Sequence, residues 1–396
     1  MKKAKEIIKL MPVTDKIVVV VGSAFILFSI GFFINRFFIQ LDKIGYTPLK
    51  IMGATSENIY DPSVEYTPTG DLGYMAYVVV KNEKDLKDPL IHVEIAKSIN
   101  KGQKWSRVSQ PFESKKSELI SSASMEPLAT GVWRYEMPSL VYDPKDTGKE
   151  WKLYASRYFW NGDIKLARLY SMISYRYASS PEGVWSEEKW ILSGHELLPP
   201  PPYNHLVKSS LNKLHPSLED LAFYTDPSVL AKKGALFMVL SGFTDKDLER
   251  VNRLVLLASL DHGKNWIFVK SLITKEQLAQ LGDYTRMSGA SLIEYKEKVY
   301  LMLSLGDEKV FGQGTFIFEF SDLLNGKLKQ TPEGLLKIVN KIPLKGNVFS
   351  KLGGGSGDFD EQDEYSGLLV SEALPGTHEF IIHKTELMPV NAEKIN

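Results

Sequence analysis

A short motif that returns four times constrains this chain more than any other feature. Asp61-Pro-Ser-Val64 recurs as Met137-Pro-Ser-Leu140, as Asp226-Pro-Ser-Val229 and as Gly289-Ala-Ser-Leu292, with a weaker fifth copy in the glycine-rich stretch around Ser356. Each copy opens an apolar strand, and successive copies lie roughly 65 to 90 residues apart, so one multi-strand unit is being repeated. In the first four units a later strand ends in serine, at Ser98, Ser180, Ser259 and Ser321. Three of these serines lead into turns of one kind: Ser98-Ile-Asn-Lys-Gly-Gln-Lys-Trp105, Ser259-Leu-Asp-His-Gly-Lys-Asn-Trp266 and the shorter Ser180-Pro-Glu-Gly-Val-Trp185. In such a turn a short polar side chain bonds backbone amides, glycine takes the positive-φ position and tryptophan packs over the hairpin.

The remaining segments are short and rich in aromatic and β-branched residues, as in YMAYVVV (74–80), ALFMVLSGF (235–243) and GTFIFEF (314–320). Helical periodicity is confined to brief stretches near 246–252 and 275–281. Five repeats of several strands predict an all-β five-bladed propeller over residues 54–390, in which radial closure protects the strand edges. A two-sheet sandwich leaves the repeat unexplained. The largest insert, 192–220, carries His195, His205, His215 and four consecutive prolines, Pro199 to Pro202, and reads as a stiff extended segment that covers one face or docks a partner.

The first forty residues follow a different logic. Ile17 to Ile34 contains no charge, and extension through Ile39 gives the length of a bilayer-spanning helix. A buried core helix would show a polar face. A cleavable signal would be shorter and followed by small residues, whereas this run ends in FFINRFFIQ. The segment 17–39 is therefore expected to be an uncleaved anchor, preceded by a basic segment at 1–16 and followed by a linker at 40–53, with a short tail at 391–396. Lys2, Lys3, Lys5, Lys9 and Lys16 precede the span, and only Arg36, Lys43 and Lys50 follow closely. That bias places the N-terminus in the cytoplasm and the large domain in the periplasm or outside the cell.

Composition excludes several functions. With 48 basic and 48 acidic residues the net charge is zero, which does not suit a nucleic-acid partner. The absence of cysteine removes disulfides, thiolate metal sites and cysteine nucleophiles. No P-loop, dinucleotide fingerprint, HExxH or Gly-x-Ser-x-Gly motif occurs.

The Ser-to-Trp turns resemble the Asp-box hairpins of sialidase-type propellers. The order of the repeats resembles the five-bladed glycosidase superfamily that includes family 43 arabinanases and β-xylosidases. The resemblance implies a general base at Asp61 and a carboxylate at Asp226 that tunes the acid and orients substrate. It also implies a glutamate at the start of the fourth blade, where this chain has Ser288, and a histidine in the fifth, where Gly353 to Asp358 holds none. Hydrolysis of a glycosidic bond needs a carboxylic acid to protonate the leaving oxygen, which a serine hydroxyl does not supply near neutral pH. Glu136 or Asp358 could stand in from another blade, though each also reads as a turn or rim residue. Trp133, Arg134, Arg157, Trp160 and Arg286 suit a sugar site and equally suit packing. The acidic run Asp358 to Glu364 offers oxygen ligands for calcium without a recognised spacing; no other cofactor is indicated.

The missing acid, the anchor and the proline-rich insert point first to a non-catalytic, membrane-tethered propeller, an accessory subunit of a membrane complex or a carbohydrate binder. The alternative is a family 43-like glycoside hydrolase or transferase at the cell surface.

Overall fold

Each copy of the repeat starts the innermost strand of an antiparallel blade, and five blades surround one axis. The computed structural model describes residues 47–82, 88–120, 126–193, 207–244, 246–247, 250–282, 284–307, 314–342, 357–359, 367–373 and 379–385. The expected anchor at 17–39, the prolines of the insert, Ser356 and the acidic residues 360–364 lie outside these. Among the described residues no helix is long and apolar enough to cross a membrane.

The innermost strands are Ile59–Tyr66, the second half of Pro127–Tyr142, Leu221–Lys232, Arg286–Tyr295 and Gly357–Phe359. They neighbour one another in cyclic order, the fifth returning to the first. The all-β five-bladed propeller expected from the repeat is the fold. Blade 5 is completed by Thr47–Pro48, which pairs with Phe380–Lys384, while Ile51–Met52 joins the outer edge of blade 1. The expected linker at 40–53 thus supplies strands that lock the ring. Part of the insert is likewise structural: Val207–Ser210 is the outermost strand of blade 2.

The repeat has a physical reason. The residue that opens each copy bends the strand: Asp61, Met137, Asp226 and Gly289 have φ of 50°, 50°, 58° and 59°, and a bulge interrupts the pairing there in all four blades. An innermost strand has one edge with no strand partner, so its amides need other acceptors. The serine of each of the first three copies supplies one to the next blade. The Leu140 amide donates to Ser63 Oγ at 2.9 Å, Val229 to Ser139 Oγ at 2.7 Å and Leu292 to Ser228 Oγ at 2.8 Å. From blade 5, Asp358 Oδ2 accepts from the Val64 amide at 2.7 Å. The fifth copy is therefore centred on Asp358, two residues beyond Ser356, with a carboxylate in place of the hydroxyl.

The core is a series of layers between blades rather than one central cluster. Leu256, Leu303 and Phe316 fill the layer between blades 3 and 4, Tyr154 and Met238 that between 2 and 3, and Tyr77, Trp105 and Leu369 that between 5 and 1. The Ser-to-Trp turns are alike in blades 1 and 3. Ser98 Oγ accepts from the Gly102 amide and Ser259 Oγ from the Gly263 amide, both at 2.9 Å, and Trp105 and Trp266 are buried against the hairpins. Innermost strands begin at one end of the disc, the mouth, and run to the other, the base. Third strands run the same way, which puts these turns at the base.

Candidate active site at the mouth

One residue before each bend, a side chain is turned toward the mouth: Tyr60, Glu136, Thr225 and Ser288 from blades 1 to 4. Two hollows meet there. The larger, about 1180 Å³, is lined by Tyr60, Arg134, Glu136 and Trp160 among others. The smaller, about 420 Å³, is lined by Glu136, Tyr158, Trp160, Asp226, Arg286 and Ser288, with Arg168, Arg250 and the Phe223 and Phe243 rings at its sides. Glu136 and Trp160 belong to both, so the hollows share one wall.

Glu136 is held from two blades. The Tyr60 hydroxyl donates to Oε1 at 2.9 Å and the Tyr158 hydroxyl to the same oxygen at 2.7 Å. Burial pushes both phenols well above their ordinary pKa, and the Glu136 charge adds to it, so both remain donors at any physiological pH.

Asp226 stands across the smaller hollow. Its amide donates to Ser156 Oγ at 2.8 Å, and Thr225 Oγ1 donates to its Oδ1 at 2.9 Å. Burial pushes its carboxyl above the usual carboxylate range; the Thr225 hydroxyl pulls against this, and the Glu136 charge adds to it. Two carboxyl groups from neighbouring blades thus face one hollow, and that of Asp226 is raised by its burial.

Arg134 lies on the same sheet face. Its Nε and Nη2 donate to the Pro89 carbonyl at 3.1 and 2.8 Å, and its guanidinium sits 5.0 Å from the Trp160 ring.

Other expected site residues lie elsewhere. Asp61 and Asp358 line the axial channel beneath the mouth, a cavity of about 300 Å³. Asp61 is buried, its amide donating to Ser371 Oγ at 2.9 Å, and Asp358 is engaged in ring closure. Trp133 and Arg157 face the opposite side of the strands. The Arg157 guanidinium is sandwiched 4.0 Å from Trp133 and 4.3 Å from Trp190, with Glu188 at 3.3 Å. That stack is packing, outside the lining of either hollow. Sequence reading missed Tyr60 and Tyr158; aligning the copies one residue upstream puts Tyr60 in the same column as Glu136, Thr225 and Ser288.

One cluster away from the mouth has the donor set of a metal site. Ligand atoms of Asp143, Asp146 and His262 lie within 4.8 Å of one another. The fully buried ammonium of Lys152 already takes the cation's place, 2.6 Å from Asp146 Oδ2 and 3.6 Å from Asp143 Oδ2. His262 Nδ1, from blade 3, is 2.9 Å from Asp143 Oδ2 in blade 2, so the cluster ties two blades together.

No protein-family model matches the sequence, and no curated protein matches it. The fold is similar to solved glycoside hydrolases. A family 117 glycoside hydrolase from the marine bacterium Zobellia galactanivorans is 13% identical with a TM-score of 0.51, over 87% of this chain and 90% of its own. A family 43 β-1,3-galactosidase solved with galactodeoxynojirimycin is 11% identical with a TM-score of 0.50, over 86% of this chain and 93% of its own. A Hadza microbial sialidase is 16% identical with a TM-score of 0.47; the match takes in 83% of this chain and spans 56% of that enzyme's length. At these identities the likeness is one of fold.

Proposed function

We propose that the chain processes glycosides at the mouth of the propeller, with Asp226 as proton donor and Glu136 as the partner carboxylate. The observation that carries this reading is the meeting of two carboxyl groups in one hollow, one of them raised by burial. Glycosidic hydrolysis asks for that pair: one group keeps a proton for the leaving oxygen, and the other assists water or the sugar carbon. The two phenols fix Glu136 in place, and Trp160 offers an aromatic face to a sugar ring. On this reading the acid missing at Ser288 is supplied from the third blade. The neighbours of like fold act on glycosides, which supports the substrate class.

Ser288 favours a second reading, a mouth that binds glycan without cleaving it. In either case the anchor expected at 17–39 holds the disc on the outer side of a membrane.

The test uses the full chain in mild detergent with aryl arabinosides, xylosides and galactosides. Turnover is expected to fall about 10²–10⁴-fold in Glu136→Gln and in Asp226→Asn, with sugar binding, read by tryptophan fluorescence, retained. Sugar binding by a wild-type chain that turns over none of them would select the second reading. Turnover untouched by both substitutions would move the chemistry away from this pair.

A further inference from the structure

The base of the disc carries a pattern that the mouth does not use. In each of blades 1 to 4 the turn after the third strand presents one large apolar side chain to solvent. Ile99 is 74% exposed, Val184 94%, Leu260 76% and Leu324 58%. Nothing in the turn geometry asks for them. In blades 1 and 3 the hairpin is fixed by the Ser98–Gly102 and Ser259–Gly263 bonds and covered by Trp105 and Trp266, leaving Ile99 and Leu260 outside. Apolar residues scattered singly need no explanation, but the same face of four successive blades is not a scatter.

Lys101, Lys104, Lys264 and Lys327 are exposed in these turns, and Glu182, Glu187, Asp261 and Asp322 stand in or beside them. Glu182 pairs with Lys97 and Tyr74, Asp261 bonds Asn265, and Asp322 bonds Asn325. The base therefore offers apolar tips among charges of both signs.

The chain also arrives at this face. Thr47, the first described residue, pairs with Lys384 at the base end of blade 5. The preceding segment, with its uncharged run at 17–34, joins the disc there.

We propose that the base of the disc is a bilayer-contacting surface, with Ile99, Val184, Leu260 and Leu324 set into the headgroup region of a membrane. Aliphatic side chains at interface depth gain from leaving water. The consequence is an orientation: the mouth faces away from the membrane. The inference stands whether or not the mouth hydrolyses sugars.

The absence of cysteine gives a clean test. Single variants Val184→Cys and Leu260→Cys of the full chain, with Ile164→Cys on the mouth-side helix as control, carry an environment-sensitive fluorophore. They are reconstituted in vesicles of phosphatidylcholine and phosphatidylserine. Labels at 184 and 260 should shift to the blue and resist a water-soluble quencher about fivefold better than the label at 164. Ile99→Asp combined with Leu324→Asp should abolish the protection at 184 and 260 while far-ultraviolet circular dichroism stays unchanged. Tips quenched as readily as position 164 would overturn the proposal. So would protection that persists in detergent and grows with protein density, which would assign the face to a second copy of the chain.

Discussion

Replacing Ser139 by alanine tests whether the repeated serine holds the ring together. Its hydroxyl accepts from the Val229 amide of the next blade at 2.7 Å, and the serine is almost wholly buried. Val229 lies on the edge of an innermost strand that has no strand beside it, so the amide loses its acceptor in the variant. A buried donor left without that acceptor costs about 1–3 kcal/mol. Unfolding of the full chain by urea in mild detergent, followed by tryptophan fluorescence, reads the cost as a lower midpoint at constant slope. Ser321→Ala is the control: that serine is exposed, its hydroxyl donates to the Lys327 carbonyl at 3.1 Å, and its loss should fall within about 0.5 kcal/mol of zero. If Ser139→Ala and Ser321→Ala were indistinguishable, the repeat would not owe its serine to bonds between blades.

Two further outcomes follow from buried charge. Asp226 has its carboxyl pKa raised in the folded state, so the folded chain holds that proton more tightly than the unfolded one, whose carboxyl titrates near about 4. Its contribution to stability is complete below the unfolded value and is lost as pH rises through the folded one. Asp226→Asn should therefore gain on the wild type as pH rises above about 4 in paired denaturation curves, and a gap that closed with rising pH would contradict the burial. Lys152→Ala leaves Asp143 and Asp146 facing each other without their ammonium, at a cost of about 3–5 kcal/mol near neutral pH. Burial alone would raise Asp146, but its hydrogen bond with Lys152 and the charges of Lys152 and His262 hold it below the usual range. That part of the stability is present above the unfolded pKa and disappears as pH falls through the depressed one. The deficit of the variant should shrink in acid, and a constant deficit would point to lost packing instead.

How far the fold could be read from the sequence depended on what each residue does. The four clear copies were legible because bend, bridge to the next blade and aliphatic strand each need their own residue type. The fifth was displaced by two residues because the bridge needs an acceptor rather than a serine, and Asp358 fills it. Thr47–Pro48 is too short to show a period of two, yet it closes blade 5. Trp133 and Arg157 were separable in principle. Alternation along Pro127–Tyr142 puts Arg134 with Glu136 on one face and Trp133 with Tyr135 on the other, and the cross-strand register puts Tyr158 with Arg134. Following that parity would have found Tyr158 and sent Arg157 to the packed side.

The bends also bear on which blade carries chemistry. Aspartate tolerates the left-handed region better than most residues, and glycine adopts it freely, so Asp61, Asp226 and Gly289 suit their positions. Met137 does not, and a non-glycine residue held in a sparsely populated region costs on the order of 1–3 kcal/mol. A bulge re-aims the side chain next to it. In blade 2 that side chain is Glu136, which the bend delivers to two tyrosine hydroxyls and to the hollow shared with Asp226. A bend needed only to close the ring would be served by aspartate or glycine, as in the other three blades. Positive φ at a residue other than glycine or aspartate is not peculiar to Met137, since Lys101, Lys233 and Lys296 hold it in plain turns; on the reading proposed above it is the aim of Glu136 at the hollow, while Asp61 lines the channel, that makes Glu136 the first carboxylate to test at the mouth.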